Sequence, residues 1–205
     1  MIDLNVDQLE RARQMLGHIP GAAPKAMARA INRAAATAKT EASRKIRETY
    51  YISGKNVSDV IKVARKASAS DPVAIIRVRS GPIALSKFKV TPKNPPKKRG
   101  KTVVARVKKG SGGEIAHAFV ARMESGHVGV FNRVSGRYMR GHEPRARVRG
   151  AGRTKGRQFI TQRYGPSVAQ MAGESSVTRH IEQKAIGKLD ERLTHEINRI
   201  LGANT

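Results

Sequence analysis

Cysteine is absent from all 205 residues, which excludes disulfide staples and thiolate metal sites. Tryptophan is absent as well, and aromatic residues make up only 4%. The core must therefore come from Ala, Val, Ile, Leu and Met, a thin filling for this length, and the stretches poorest in apolar residues are expected to be ordered by partners. No apolar run approaches the roughly 20 residues that span a bilayer. The start, MIDLNVDQLERARQM, lacks the basic opening and apolar run of a secretory signal. From these absences we expect a protein made in the cytoplasm with no membrane partner.

Acidic residues are also scarce. Asp and Glu total 15 against 41 Lys and Arg, a formal net charge of +26. Such a surface repels itself and attracts polyanions. The excess is uneven: residues 86–110 hold ten Lys/Arg and no acid, and residues 133–163 hold ten Lys/Arg with Glu143 alone against them. Residues 174–201 balance five bases with five acids. A nearly neutral body with two cationic arms is a better description than a uniformly charged surface.

What is present divides by hydrophobic period. Val6, Leu9, Ala12, Met15 and Leu16 form a helical stripe over residues 5–16, with Asp3 or Asn5 as cap, ended by Gly17 and the Pro20-Gly21 turn. A long helix rich in Ala, the best helix former, is expected over 23–50, with Met27, Ala30, Ile31, Ala34, Ala38, Ala42 and Ile46 on one face. Ser53 caps a shorter predicted helix carrying Val57, Val60, Ile61 and Ala64. The period then changes to two. Strands are expected at Val73–Arg79, Ile83–Val90 and Val128–Val134, and Thr102–Val107 with Ala116–Met123 reads as a hairpin around the Lys108–Gly113 turn. Phe159 and Ile160 mark a last strand. Tyr164–Ser167 is a turn that opens a short helix, with Pro166 at its first position. Val177, Ile181, Ala185, Leu189, Leu193, Ile197 and Leu201 recur every four residues along a final helix over 174–201, which Gly202 ends.

The fold class expected is α+β. A mostly antiparallel sheet packs with the Ala-rich N-terminal helix and the amphipathic C-terminal helix, which carry extended basic loops. One domain over 1–205 is expected, with a helical part at 1–66, a sheet part at 73–134, an Arg/Gly-rich loop at 135–157 and C-terminal helices at 164–202. No internal repeat is visible.

The cations on the two arms are the candidate contacts for nucleic acid or an acidic partner: Lys87, Lys89, Lys93, Lys97, Lys98, Arg99 and Lys101 on the first, and Arg137, Arg140, Arg145, Arg147, Arg149, Arg153, Lys155 and Arg157 on the second. Flanking Gly and Pro place the densest runs on loops, where long side chains can follow a phosphate backbone without reading bases. Only Phe88, Tyr138 and Phe159 lie nearby, so a stacking platform for single strands is not evident.

Catalytic patterns fail. Gly100-Lys101-Thr102 resembles the end of a phosphate loop, but Pro95 stands where that loop needs its first glycine. The six histidines follow no metal-ligand spacing. His195 lies one helical turn from Glu191, a pairing more often found on surfaces than in metal sites. No nucleophile elbow or paired carboxylates occur. We expect neither enzymatic activity nor a cofactor.

The order of the segments carries more information than any one of them. Met27–Ala38, Val73–Arg79, Phe119–Met123, Gly129–Arg133 and Tyr164–Met171, followed by the amphipathic helix, resemble the minor tail protein Z family of long-tailed phages, over residues 20 to 201. The most specific parts are the AINRAAATAKTEASRKI helix and the YGPSVAQM turn. This resemblance implies a virion protein, added in the host cytoplasm to the finished tail tube at the end that joins the DNA-filled head. It implies a homo-oligomeric ring, six-fold like the tube, beside neck and tail proteins: tail terminator, connector, tail tube or tape measure. The cationic arms would meet acidic neighbours or the packaged DNA end. A free, non-specific nucleic-acid-binding protein is the competing reading, and a phage nuclease or protease the third.

Overall fold

Alanine and its spacing build the longest element. In a computed structural model, which describes residue 10 and residues 13–97, 102–134 and 159–202, helix α1 (Ala22–Thr49) buries Ala26, Ala30, Ala38 and Ile46 along one face. Gly21 precedes it in the left-handed region, φ 69°, a conformation that costs glycine nothing. The remaining elements follow in chain order: helix α2 (Gly54–Ser58), strands β1 (Ile61–Arg65), β2 (Ile75–Val78) and β3 (Ile83–Ala84), a 3₁₀ turn (Leu85–Lys87), β4 (Lys89–Thr91), β5 (Val103–Arg106), β6 (Gly113–Ile115), β7 (Ala118–Arg122), β8 (Val128–Val134), β9 (Phe159–Gln162), β10 (Tyr164–Gly165), and helices α3 (Val168–Ala172) and α4 (Ser175–Gly202). The protein is α+β, and every strand pairing is antiparallel. Among the described residues the strands form four small sheets, β1-β2, β3-β10, β4-β5-β6 and β7-β8-β9.

The chain divides into two compact units. The first comprises Met1–Ile46, Gly54–Ser80 and Val168–Thr205; the second comprises Arg47–Ser53 and Gly81–Ser167.

In the first unit α1 and α4 bury their apolar stripes in one cluster, where Leu189, Leu193 and Ile197 meet the small side chains of Ala23, Ala26, Ala30 and Ala34. Arg29–Glu196 at 3.4 Å and His180–Glu41 at 3.1 Å join the same helices, and their order shows that the two run antiparallel. The side chain of Asn32 fastens the loop after β1, accepting from the Ala67 amide at 2.8 Å and donating to the Ala67 carbonyl at 2.9 Å. This unit differs from the sequence expectation at one element. Ile61–Arg65, expected to continue the helix begun near Ser53, is a strand paired with β2 through Ile61↔Val78 and Val63↔Ile76. Its apolar residues fit both periods, and pairing with a β-branched partner strand decided between them.

The second unit has its own core of Leu85, Phe88, Val103, Val120, Val130, Phe131 and Ile160. Three expectations change here. Ile83–Val90 is not one strand: the Leu85 amide donates to the Arg163 carbonyl and the Phe88 amide to the Leu85 carbonyl, which folds the middle into the 3₁₀ turn. The hairpin around Lys108–Gly112 returns as Gly113–Ile115, in the register Val103↔Ile115, instead of as Ala116–Met123. His117, at φ 58°, breaks the chain between, and β7 pairs with β8. Finally, Tyr164-Gly165 is paired with Ile83-Ala84, so Pro166 lies before α3 and not at its first position. The first amides of α3, those of Val168 and Ala169, donate to the Ser80 hydroxyl at 2.9 and 3.4 Å within the first unit. A borrowed hydroxyl does there what a local cap would do.

Candidate partner-binding cleft

Three backbone contacts assemble a cationic concavity in the second unit. As α1 ends, the Tyr51 amide donates to the Val107 carbonyl at 2.8 Å, the Lys109 amide donates to the Thr49 carbonyl at 2.8 Å, and Tyr50 bridges Lys108. These bonds hold the last turn of α1 against the end of β5. The 3₁₀ turn and β4 complete the wall. The result is a cleft of about 510 Å³ lined by Arg47, Tyr51, Lys87, Phe88, Lys89 and Lys109 together with Tyr50 and Ile52.

Its electrostatics rest on the tyrosine. The Lys89 ammonium stands 4.9 Å from the centroid of the Tyr51 ring and that of Lys109 stands 5.9 Å from it. Each contact is worth about 0.5–1 kcal/mol at an exposed site, enough to gather two like charges that would otherwise separate. Arg47, Lys87, Lys89 and Lys109 form no ion pair among the described residues. Phe88, itself buried, also lines an adjoining apolar hollow of about 210 Å³ with Val90, Pro92, Val120 and Val130, and Lys89 and Lys93 border it.

Of the cations expected from sequence, Lys87 and Lys89 come together in the cleft and Lys93 sits at the hollow. Lys97 is exposed, near the end of a described stretch. Lys98, Arg99, Lys101, Arg137, Arg140, Arg145, Arg147, Arg149, Arg153, Lys155 and Arg157 lie outside the described residues, as does the Arg/Gly stretch 135–157. Arg47, Tyr51 and Lys109 join Lys87 and Lys89 in the cleft from outside the expected set. Lys109 belongs to the same cationic run, so its sign was legible. Tyr51 and Arg47 arrive from a helix end more than 30 positions away, and no spacing in the sequence marks that.

The first unit offers a contrasting groove of about 280 Å³, lined by Arg33, Thr37, Thr40, Glu41, Lys188 and Arg192. Two of its charged residues are paired, while the buried Arg192 Nε has no hydrogen-bond partner among the described residues. Glu41 pairs with Arg44 at 2.8 Å and with His180 at 3.1 Å. The Lys188 ammonium donates to both Glu191 oxygens at 2.7 Å and holds that carboxyl below its ordinary range. Among the described residues no three His, Asp or Glu gather as a metal site would require, and no helix is long and apolar enough to cross a membrane.

The family model of prophage minor tail protein Z (GPZ) matches residues 6–203. The chain belongs to that family. As a phage minor tail protein it is a structural component of the virion tail. No curated protein and no solved structure matches it.

Proposed function

We propose that this minor tail protein completes the head-proximal end of the tail and helps join the tail to the head, without catalysing a reaction. It acts as a homo-oligomeric ring, six-fold to match the tube, beside the terminator, connector, tube or tape measure, and is assembled in the host cytoplasm. Its cationic surface meets acidic neck proteins or the end of the packaged DNA. The observation that carries this reading is family membership over nearly the whole chain, joined to a net charge of +26 that the first unit's ion pairs leave largely unanswered.

A nonsense mutation in the gene tests it, with lysates viewed by electron microscopy. Filled heads and full-length tails should accumulate unjoined, and purified protein added to the lysate should restore infectious particles. Joined, infectious particles in its absence would remove the role. Arg145→Ser, Arg147→Ser and Arg149→Ser together should reduce joining while leaving tail length unchanged. Tight, saturable binding of the purified chain to free duplex at physiological salt, in a lysate whose tails complete normally, would favour a free nucleic-acid-binding protein instead.

A further inference from the structure

We infer that the Tyr51 cleft and its apolar hollow receive the acidic N-terminal segment of a second copy of this chain, forming the seam between neighbouring subunits. The inference rests on the ring reading above and specifies its contact. The cleft presents Arg47, Lys87, Lys89 and Lys109 without carboxylate partners among the described residues. The hollow beside it shares Phe88 and Lys89 and is walled by Val90, Pro92, Val120 and Val130. A matching ligand carries carboxylates with apolar side chains between them. A nucleic-acid strand matches less well. It has no aliphatic group for the hollow, and lysine ammonium groups already stand over the Tyr51 ring, where a base would stack.

The chain contains one segment of the matching kind. Residues 1–10, Met-Ile-Asp-Leu-Asn-Val-Asp-Gln-Leu-Glu, hold Asp3, Asp7 and Glu10 with no Lys or Arg, interleaved with Ile2, Leu4, Val6 and Leu9. Elsewhere in the chain acids are isolated or accompanied by bases. Copies that each carry +26 repel one another, so a closed ring needs a seam where opposite charges meet. An acidic end on one subunit and a cationic cleft on the next form a head-to-tail contact, the kind that closes into cyclic symmetry.

Sedimentation velocity of the full chain over a range of concentrations and salt, with paired charge reversals, tests this. Wild type should self-associate, more weakly at high salt. Asp3→Lys with Asp7→Lys, and separately Lys87→Glu with Lys109→Glu, should each weaken association about tenfold or more, and all four substitutions in one chain should restore much of it. General repulsion predicts a different pattern, because the lysine reversal lowers net charge and would strengthen association. Leu4→Ser with Val6→Ser should weaken it about tenfold without changing charge. Circular dichroism confirms that each variant is folded. Association that ignores both reversals keeps the ring and overturns this seam. A chain monomeric at every concentration, or one whose lysine reversal abolishes oligonucleotide binding and leaves self-association unchanged, overturns it as well.

Discussion

The two units handle charge in opposite ways. In the first, five basic residues meet carboxylates: Arg29 and Arg199 share Glu196, Arg44 meets Glu41 and Lys188 holds Glu191 on the long helices, and Arg65 on β1 meets Asp71. In the second, Lys89 and Lys109 gather over the face of an aromatic ring, and Arg133 stands 5.3 Å from the centroid of Phe119. Ring faces hold cations without neutralising them, whereas each of these carboxylates offsets the charge of the base it meets.

The sharpest way to break that comparison is to attack the packing of the first unit. Leu193→Ala, at a position 6% exposed within the helix cluster, should cost about 2–5 kcal/mol in denaturant unfolding. Ala30→Leu, at a fully buried position, should cost roughly 1–3 kcal/mol because the alanine surface has no room for the added carbons. A neutral result for either would mean that the two helices are not tightly packed.

The second unit has its own steric test. A Cβ added at Gly165 would lie 2.6 Å from the Phe88 ring, so Gly165→Ala should cost about 1–3 kcal/mol and disturb the cleft wall that Phe88 supports. Removing the borrowed cap of α3 by Ser80→Ala should cost about 1 kcal/mol, read as a shift in denaturation midpoint. Smaller still, Lys87→Ser should change stability by less than about 0.5 kcal/mol while weakening self-association. A large stability loss would make that lysine structural and erase the contrast between the units.

The smallest expected effect depends on pH. Lys188 lowers the Glu191 carboxyl, so the ionised form is favoured in the folded chain. That contribution is fully present above the ordinary carboxylate range and is lost as pH falls through the lowered value. Glu191→Gln should therefore be slightly less stable than wild type near neutrality and equal to it in acid, measured by thermal unfolding at both pH values. The carboxylate is exposed and solvent screens the pair, so the difference should also shrink with added salt.

Both long helices were legible because their signals are local and repeated: alanine content and spacing for α1, an apolar residue every fourth position for α4. The strands of 73–79 and 128–134 were legible through β-branched alternation; the first is shorter by two residues at its start and one at its end, and the second has the expected bounds. What misled was short. Ile61–Arg65 carries too few residues to separate a period of two from one of 3.6, and the partner residues that settle it, on β2, lie ten to seventeen positions on. The hairpin after β5 was found at its turn but given the wrong return strand, because one residue, His117, redirects the chain. Lys87 and Lys89 were identified by charge density alone. Their neighbours Arg47 and Tyr51 were not, since nothing local ties a helix end to a lysine on a distant strand.

By itself the sequence determined the sign and uneven placement of charge, the two long helices, the α+β class and the family, because each depends on composition or on regularities spread over many residues. Tertiary structure alone decided which strands pair, which hydroxyl caps α3, and which cations share one ring. Those outcomes follow from hydrogen bonds and contacts between residues far apart in the chain, where backbone groups must find partners that local preference does not name.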